Sequence, residues 1–323
     1  MYDYFMEKLV YQMFILGTGE YLEKALSKGL GGVIFFTRDI NSKEQFQTLI
    51  QDIVKKSLIS PFLSIDQEGG RVERTENIHN RYLSPRFAFQ KGEEFLAEQT
   101  ANIAEELREY GINLNFAPCA DVNTNPKNPI IGERAFSDNV EDVMLGVQIV
   151  SNIYRKNGII PCVKHYPGHG DADKDSHLTL PCIDLPMEEM EKIHIMPFKA
   201  AVEDNIEMIM AAHLHCKCFD SEIVPASLSS NAIGYLRNKL GYKGVVISDD
   251  MFMKGVQDFG IIEALQMALM AGVDMFIFRD ADEKTYSAIN EFVKIAETRA
   301  DIKEKIIDSN KRIFNLKKQY NLV

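Results

Sequence analysis

Gly158-Ile-Ile-Pro-Cys-Val-Lys-His165 begins at a glycine, runs apolar, and ends in a lysine and a histidine. Residues 140–157 before it carry apolar side chains at helical spacing, and Gly158 stands where a helix needs its C-cap. Gly111 and Gly272 stand in the same position, after residues 93–110 and 261–271. A further helical stretch is expected over 187–204. The apolar runs are 13–17, 32–36, 61–66, 113–121, 159–165, 206–213, 244–250 and 273–278, rich in Val, Ile and Phe. Runs of this kind suit strands of a parallel sheet buried on both faces. Strand and helix alternating eight times, without a break in composition, predict an α/β fold, a closed TIM-type (β/α)8 barrel; a doubly wound open sheet gives a similar rhythm. The 323 residues fit a single catalytic domain, 1–323, whose last forty, helical and basic towards the end, pack outside the barrel.

Polar residues fall where these strands end. Asp66, Asp121, Lys164, His165, His213 and Asp249 close separate runs or share one, and in a barrel those ends converge on one face. One charged strand end is commonly a cap or an ion pair. Repetition around the barrel points to a shared site.

The net charge of −11 argues against nucleic acid and anionic membrane as partners, because both require a basic footprint. The first residues lack the basic, apolar and small-residue pattern of a signal peptide, and no apolar run is long enough to span a bilayer. The five cysteines are an odd number, and several lie in apolar runs. Reduced thiols and a cytoplasmic monomer are the expectation.

Lys164-His-Tyr-Pro-Gly-His-Gly-Asp-Ala-Asp-Lys-Asp-Ser-His177 packs three His and three Asp into fourteen residues. Asp171, Asp173 and Asp175 imitate the start of a calcium loop. Ser176 replaces the required glycine, however, and Cys182 stands where a bidentate Glu belongs. Zinc stays open on spacing, without HExxH or CxxC. A solvated loop is the bland alternative. General acid/base work is the third: Asp175 and His177 share a face in an extended segment, and a carboxylate beside an imidazole sets its tautomer and supports its protonated form. The glycines would let the loop move over a substrate.

This stretch resembles the KH-x-PGHG-x4-DSH pattern of the family 3 glycoside hydrolases, specifically the bacterial β-N-acetylglucosaminidases. Ser64-Ile-Asp-Gln-Glu-Gly-Gly-Arg-Val72, Asn115-Phe-Ala-Pro-Cys-Ala-Asp-Val122, Ile131-Gly-Glu-Arg-Ala-Phe136, Pro225-Ala-Ser-Leu-Ser229 and Ser248-Asp-Asp-Met-Phe-Met253 follow in the family's order. The resemblance implies Asp249 as nucleophile, His177 as proton donor and Asp175 as its orienting partner. It implies Asp66, Arg134, Lys164 and His165 as sugar-binding residues, with a carbohydrate substrate and no metal or cofactor. Ion pairing is the alternative for Lys164, Asp66 and Arg134. Asp250, adjacent to Asp249, is expected to point away from the sugar, because neighbours on a strand face opposite sides. His169 is expected to shape the loop.

With no Trp, sugar stacking would fall to Phe or Tyr. His213-Leu-His-Cys-Lys-Cys218 invites a metal, but alternation sets its histidines and cysteines on opposite faces, which favours one substrate-facing His. Arg279 and Asp280 could touch an acidic or phosphorylated part of the substrate or pair with each other. The expected activity is retaining exo-hydrolysis of terminal β-linked N-acetylglucosamine from cell-wall muropeptides. Phosphorolysis is the runner-up, since a histidine acid/base does not repel phosphate as a carboxylate would. A sugar-binding protein without catalysis is the third reading.

Overall fold

Eight parallel strands close into a barrel in the computed structural model, which describes residues 2–172 and 180–323. In chain order the strands are β1 (Phe14–Leu16), β2 (Gly32–Phe35), β3 (Phe62–Ile65), β4 (Leu114–Asn115), β5 (Ile160–Tyr166), β6 (Cys182–Ile183), β7 (Met208–Ala211), β8 (His215–Cys216), β9 (Val245–Asp250) and β10 (Met275–Phe278). The barrel order is β1-β10-β9-β7-β5-β4-β3-β2, and β6 pairs with β8 as a separate two-stranded sheet. The expected barrel is therefore the observed one, and an open sheet is not.

The apolar runs become strands because both of their faces are covered. Phe14, Phe35, Phe62 and Phe276 are fully buried, and helices coat the outside. The helix Lys43–Lys56 starts at Ser42, whose side chain accepts the Gln45 amide, and it buries Phe46, Ile50 and Ile53. Val140–Lys156 starts at Asn139 in the same way and buries Val143, Val147 and Val150. Gly158 and Gly272 end their helices at φ +72° and +116°, a conformation costly for any residue with a Cβ.

Two elements depart from expectation. The run 113–121 pairs regularly only over β4; Pro118 lacks an amide hydrogen, and pairing resumes as an isolated bridge between Cys119 and Lys164. The helix expected over 187–204 is broken into Met187–Glu189, a π-turn Met190–His194, and Met196–Glu203 with Pro197 in its first turn. Against that break lies Gly168, where a Cβ would come 2.7 Å from the His194 Cβ.

The chain finishes with two helices outside the barrel, Glu283–Thr298 and Ala300–Gln319. Buried Asp274 ties the second of these to the N-terminal end of the barrel. It accepts from Ser309 Oγ at 2.8 Å and Arg312 Nε at 2.9 Å on the helix, and from Arg237 at 2.5 Å and the Val246 amide at 2.9 Å on the barrel side. Among the described residues no helix is long and apolar enough to cross a membrane. All five cysteines are free thiols.

Candidate active site

The C-terminal ends of the strands surround a cleft of about 480 Å3, lined by Asp66, Arg134, Lys164, His165, His213 and Asp249 among others. Five of the seven residues expected at the site thus come together. The other two, Asp175 and His177, lie outside the described residues.

The deep side is an ordered charge network. Lys164, 2 % exposed, places Nζ 2.6 Å from Asp66 and 2.6 Å from Glu68. Arg134 grips Glu68 bidentately, Nε to Oε2 at 2.9 Å and a terminal nitrogen to Oε1 at 2.8 Å. Burial opposes ionisation of Glu68, but these two cations outweigh it and hold its carboxyl far below the usual range. Burial likewise opposes the charge on Lys164, and Asp66 and Glu68 reverse that and raise its pKa. Lys164 and Asp66 form the ion pair given as their alternative role, and both line the cleft. Arg134 caps the pair through Glu68.

His165 extends the network. Its Nδ1 lies 2.7 Å from Asp121 Oδ2, and its Nε2 lies 3.2 Å from an Arg134 nitrogen. Arginine only donates, so Nε2 accepts and Nδ1 carries the proton that bonds Asp121. Asp121 also accepts from the His169 amide at 2.6 Å and the Cys119 thiol at 3.2 Å. Burial opposes its ionisation, but His165 and His169 hold its carboxyl well below the normal range. Cys119, Asp121 and His165 put donor atoms within 4.8 Å of one another, the only such group among the described residues. Burial keeps the Cys119 thiol protonated, and each of its neighbours already has a hydrogen-bond partner, which suits a polar network better than a metal centre.

Lys164 and His165 both face the cleft although they are adjacent, and the β5–β7 register slips at this point. The same happens at Asp249 and Asp250, beside an irregularity in the β9–β10 register. The expectation that Asp250 points away from the cleft is corrected here: strict alternation fails where the ladder slips. The two carboxyls nevertheless differ. Asp249 Oδ1 accepts the Asp250 amide at 2.7 Å, and Asp249 enters no ion pair among the described residues. Burial opposes its ionisation, but His213, His165, that amide and Lys164 prevail, and its pKa is lowered. Asp250 accepts the Phe252 amide at 3.1 Å, and burial pushes its pKa up to about 6.

His213 also lines the cleft, with Nε2 3.1 Å from the Asp250 carbonyl and Nδ1 2.7 Å from Ser227 Oγ. Nε2 therefore donates and Nδ1 accepts. His215 has left the barrel and bonds the Val224 carbonyl through Nδ1 at 3.2 Å, so the expected single cleft-facing histidine of this run is found. Gly170 explains part of the PGHG pattern: a Cβ there would sit 1.7 Å from the Val122 carbonyl oxygen. In the described part of the loop, close packing requires the glycines that sequence reasoning assigned to motion.

Sequence reasoning missed Glu68, Arg71 and Arg74. Glu68 and Arg71 lie inside the 64–72 motif, but Glu68's two buried cations, Arg134 and Lys164, come from distant parts of the chain. Arg74 follows two residues later with no periodic signal. His169 was expected only to shape its loop. It lines the cleft at 3 % exposure, both ring nitrogens lack a partner among the described residues, and burial pushes its pKa down to about 4.

Residues 7–316 match the Glycosyl hydrolase family 3 N terminal domain. The chain is 32% identical to β-hexosaminidase A of Pseudoalteromonas piscicida over 89% of its own length, and it spans about half, 53%, of that protein. It is 34% identical to the β-hexosaminidase of Methylococcus capsulatus, covering 80% of this chain and 78% of the relative. Among solved structures, a glycoside hydrolase family 3 β-N-acetylglucosaminidase from Paenibacillus sp. str. FPU-7 superposes with a TM-score of 0.92 at 30% identity, covering 98% of this chain and 62% of the other.

Proposed function

The chain belongs to glycosyl hydrolase family 3, and from that premise we propose that it is a retaining exo-β-N-acetylglucosaminidase working through a glycosyl-enzyme ester on Asp249. One observation carries the reading. Asp66, Glu68 and Asp121 are committed to Lys164, Arg134 and His165, whereas Asp249, its pKa lowered, accepts a main-chain amide and pairs with no cation among the described residues. A carboxylate free of a cation keeps a lone pair for the anomeric carbon. Asp250, with a pKa of about 6, is the poorer nucleophile of the two.

In this reading the terminal sugar enters the deep side of the cleft. Asp66 accepts from its hydroxyls, and Lys164 and Arg134 donate to them, with His165 completing the wall. Asp249 attacks the anomeric carbon while the leaving oxygen takes a proton from His177, oriented by Asp175. Water, activated by the same imidazole, then opens the ester with net retention. The relatives' names support an N-acetylhexosamine as the sugar. Muropeptides as the source, the cytoplasm as the compartment and a monomer as the working unit complete the proposal.

A 5-fluoro N-acetylglucosaminyl fluoride, which forms the ester faster than it is hydrolysed, tests the assignment. Peptide mapping should find the adduct on Asp249, and Asp249→Ala should lower turnover by on the order of 10⁴-fold with the fold intact. An adduct on Asp250 reverses the assignment.

A further inference from the structure

The cleft has a second wall, chemically unlike the first. Asp66, Arg134, Lys164 and His165 sit over β3, β4 and β5. Round the barrel mouth, β2 adjoins β3 and leads through β1 to β10; β2 and β10 end in Phe36 and Arg279, which also line the cleft. The deep wall is buried, with Lys164 at 2 % exposure. The Arg279 side chain is 55 % exposed, at the rim.

Arg279 is held in place from several sides. Its guanidinium lies 5.7 Å from the centre of the Phe36 ring, within cation–π range. Its carbonyl accepts from Arg38 at 2.7 Å. The end of β1 passes so closely that a Cβ on Gly17 would fall 1.9 Å from that carbonyl oxygen. Its main chain also bonds the carboxyl of Asp250, the neighbour of Asp249. The Arg279 backbone is therefore fixed beside Asp250, and its guanidinium rests over Phe36 at the cleft.

Among the described residues its one ion pair, with Asp280, is a loose one. Asp280 makes its short bond to Arg38, at 2.5 Å, and approaches Arg279 Nε no closer than 3.8 Å. Arg38 is further occupied by Asp39 at 3.9 Å. Arg74, also over Phe36 at 5.8 Å, adds a cation rather than a counter-ion. An acidic chain of net charge −11 thus presents positive charge at the mouth of its cleft.

An exo-enzyme holds the terminal sugar deep and leaves the departing group at the rim. Resting on the hexosaminidase reading above, we propose that Arg279, backed by Phe36 and relieved of Asp280 by Arg38, recognises a negative charge on the leaving group. The substrates favoured are β-hexosaminides whose aglycone carries a carboxylate or a phosphate.

The test uses aryl β-N-acetylglucosaminides whose phenol bears a carboxylate, a phosphonate or a neutral carboxamide at one position, with phenol pKa values matched by ring fluorination. The wild-type kcat/KM should favour at least one anionic substrate over the carboxamide by about tenfold or more. Which anion gains most identifies its source. Arg279→Ala should bring the anionic-to-neutral ratio close to one, Arg279→Lys should retain part of it, and Arg279→Glu should invert it. A wild-type ratio near one, or a ratio untouched by Arg279→Ala, overturns this proposal and leaves the hexosaminidase reading standing. Failure of the wild-type protein to turn over any of the three overturns both.

Discussion

A carboxylate serves as a nucleophile where no cation holds it, and that condition separates the acids around this cleft. Asp66 and Glu68 bond Lys164, Asp121 bonds His165, and Asp250 has its carboxyl raised by burial. Asp249, the proposed nucleophile, has its pKa lowered and is oriented by a main-chain amide. The proton donor is a different matter. His165 and His213 have both ring nitrogens bonded, and His169 is held neutral by burial, its pKa down at about 4. The proposed donor is His177, the residue that its motif implies. His177→Ala should therefore lose most on substrates with poor leaving groups, whose oxygen needs the proton, and least on activated aryl glycosides. Azide should restore turnover of the activated substrates, because an anionic nucleophile needs no general base. A uniform loss on every substrate, with no azide effect, would place the donor elsewhere.

At the scale of elements, the strands were legible because each is an apolar run, several introduced by a glycine in a left-handed cap. Legibility failed where local pattern does not decide. Pro118 cut the fourth strand short, and Pro197 broke the helix over 187–204. The β6–β8 pair joins two-residue segments through a contact that no periodicity encodes. The site divided in the same way: strand-end residues and motif residues were readable, whereas Glu68's partnership with Arg134 spans 66 positions and appears only in space. The C-terminal helix hides another such contact. Lys317 is fully buried, bonds Gln12 Oε1 at 2.9 Å and the Ser60 carbonyl at 2.8 Å, and pairs with no carboxylate among the described residues. Burial pushes its pKa down to about 7. Between that value and an unfolded pKa of about 10.4, the unfolded chain binds the additional proton, so stability rises with pH across this window. The Tm of the wild type minus that of Lys317→Met should grow by roughly 2–4 °C from pH 7 to 9.5. A difference that is flat or shrinks with pH would mean that Lys317 keeps its charge when buried.

Taken whole, the described residues form a barrel whose mouth carries two unlike walls, a buried one of paired charges and a more open one of guanidinium groups over Phe36. The first suits the hydroxyls of a neutral sugar, and the second suits what leaves. Asp249 stands between them on β9, where a covalent ester would be sheltered by the one and reached by water from the other. Stereochemistry reports on that arrangement as a unit, because inversion needs a water already seated opposite the leaving group, whereas retention needs the carboxylate there. The most direct measurement is a proton NMR time course of the wild-type protein on an aryl β-N-acetylglucosaminide, beside the matching glucoside, with and without phosphate. The account predicts β-N-acetylglucosamine as the first-formed product, faster turnover than of the glucoside, and no sugar 1-phosphate. The α-anomer appearing first would contradict the ester on Asp249, and accumulation of N-acetylglucosamine 1-phosphate would replace hydrolysis with phosphorolysis.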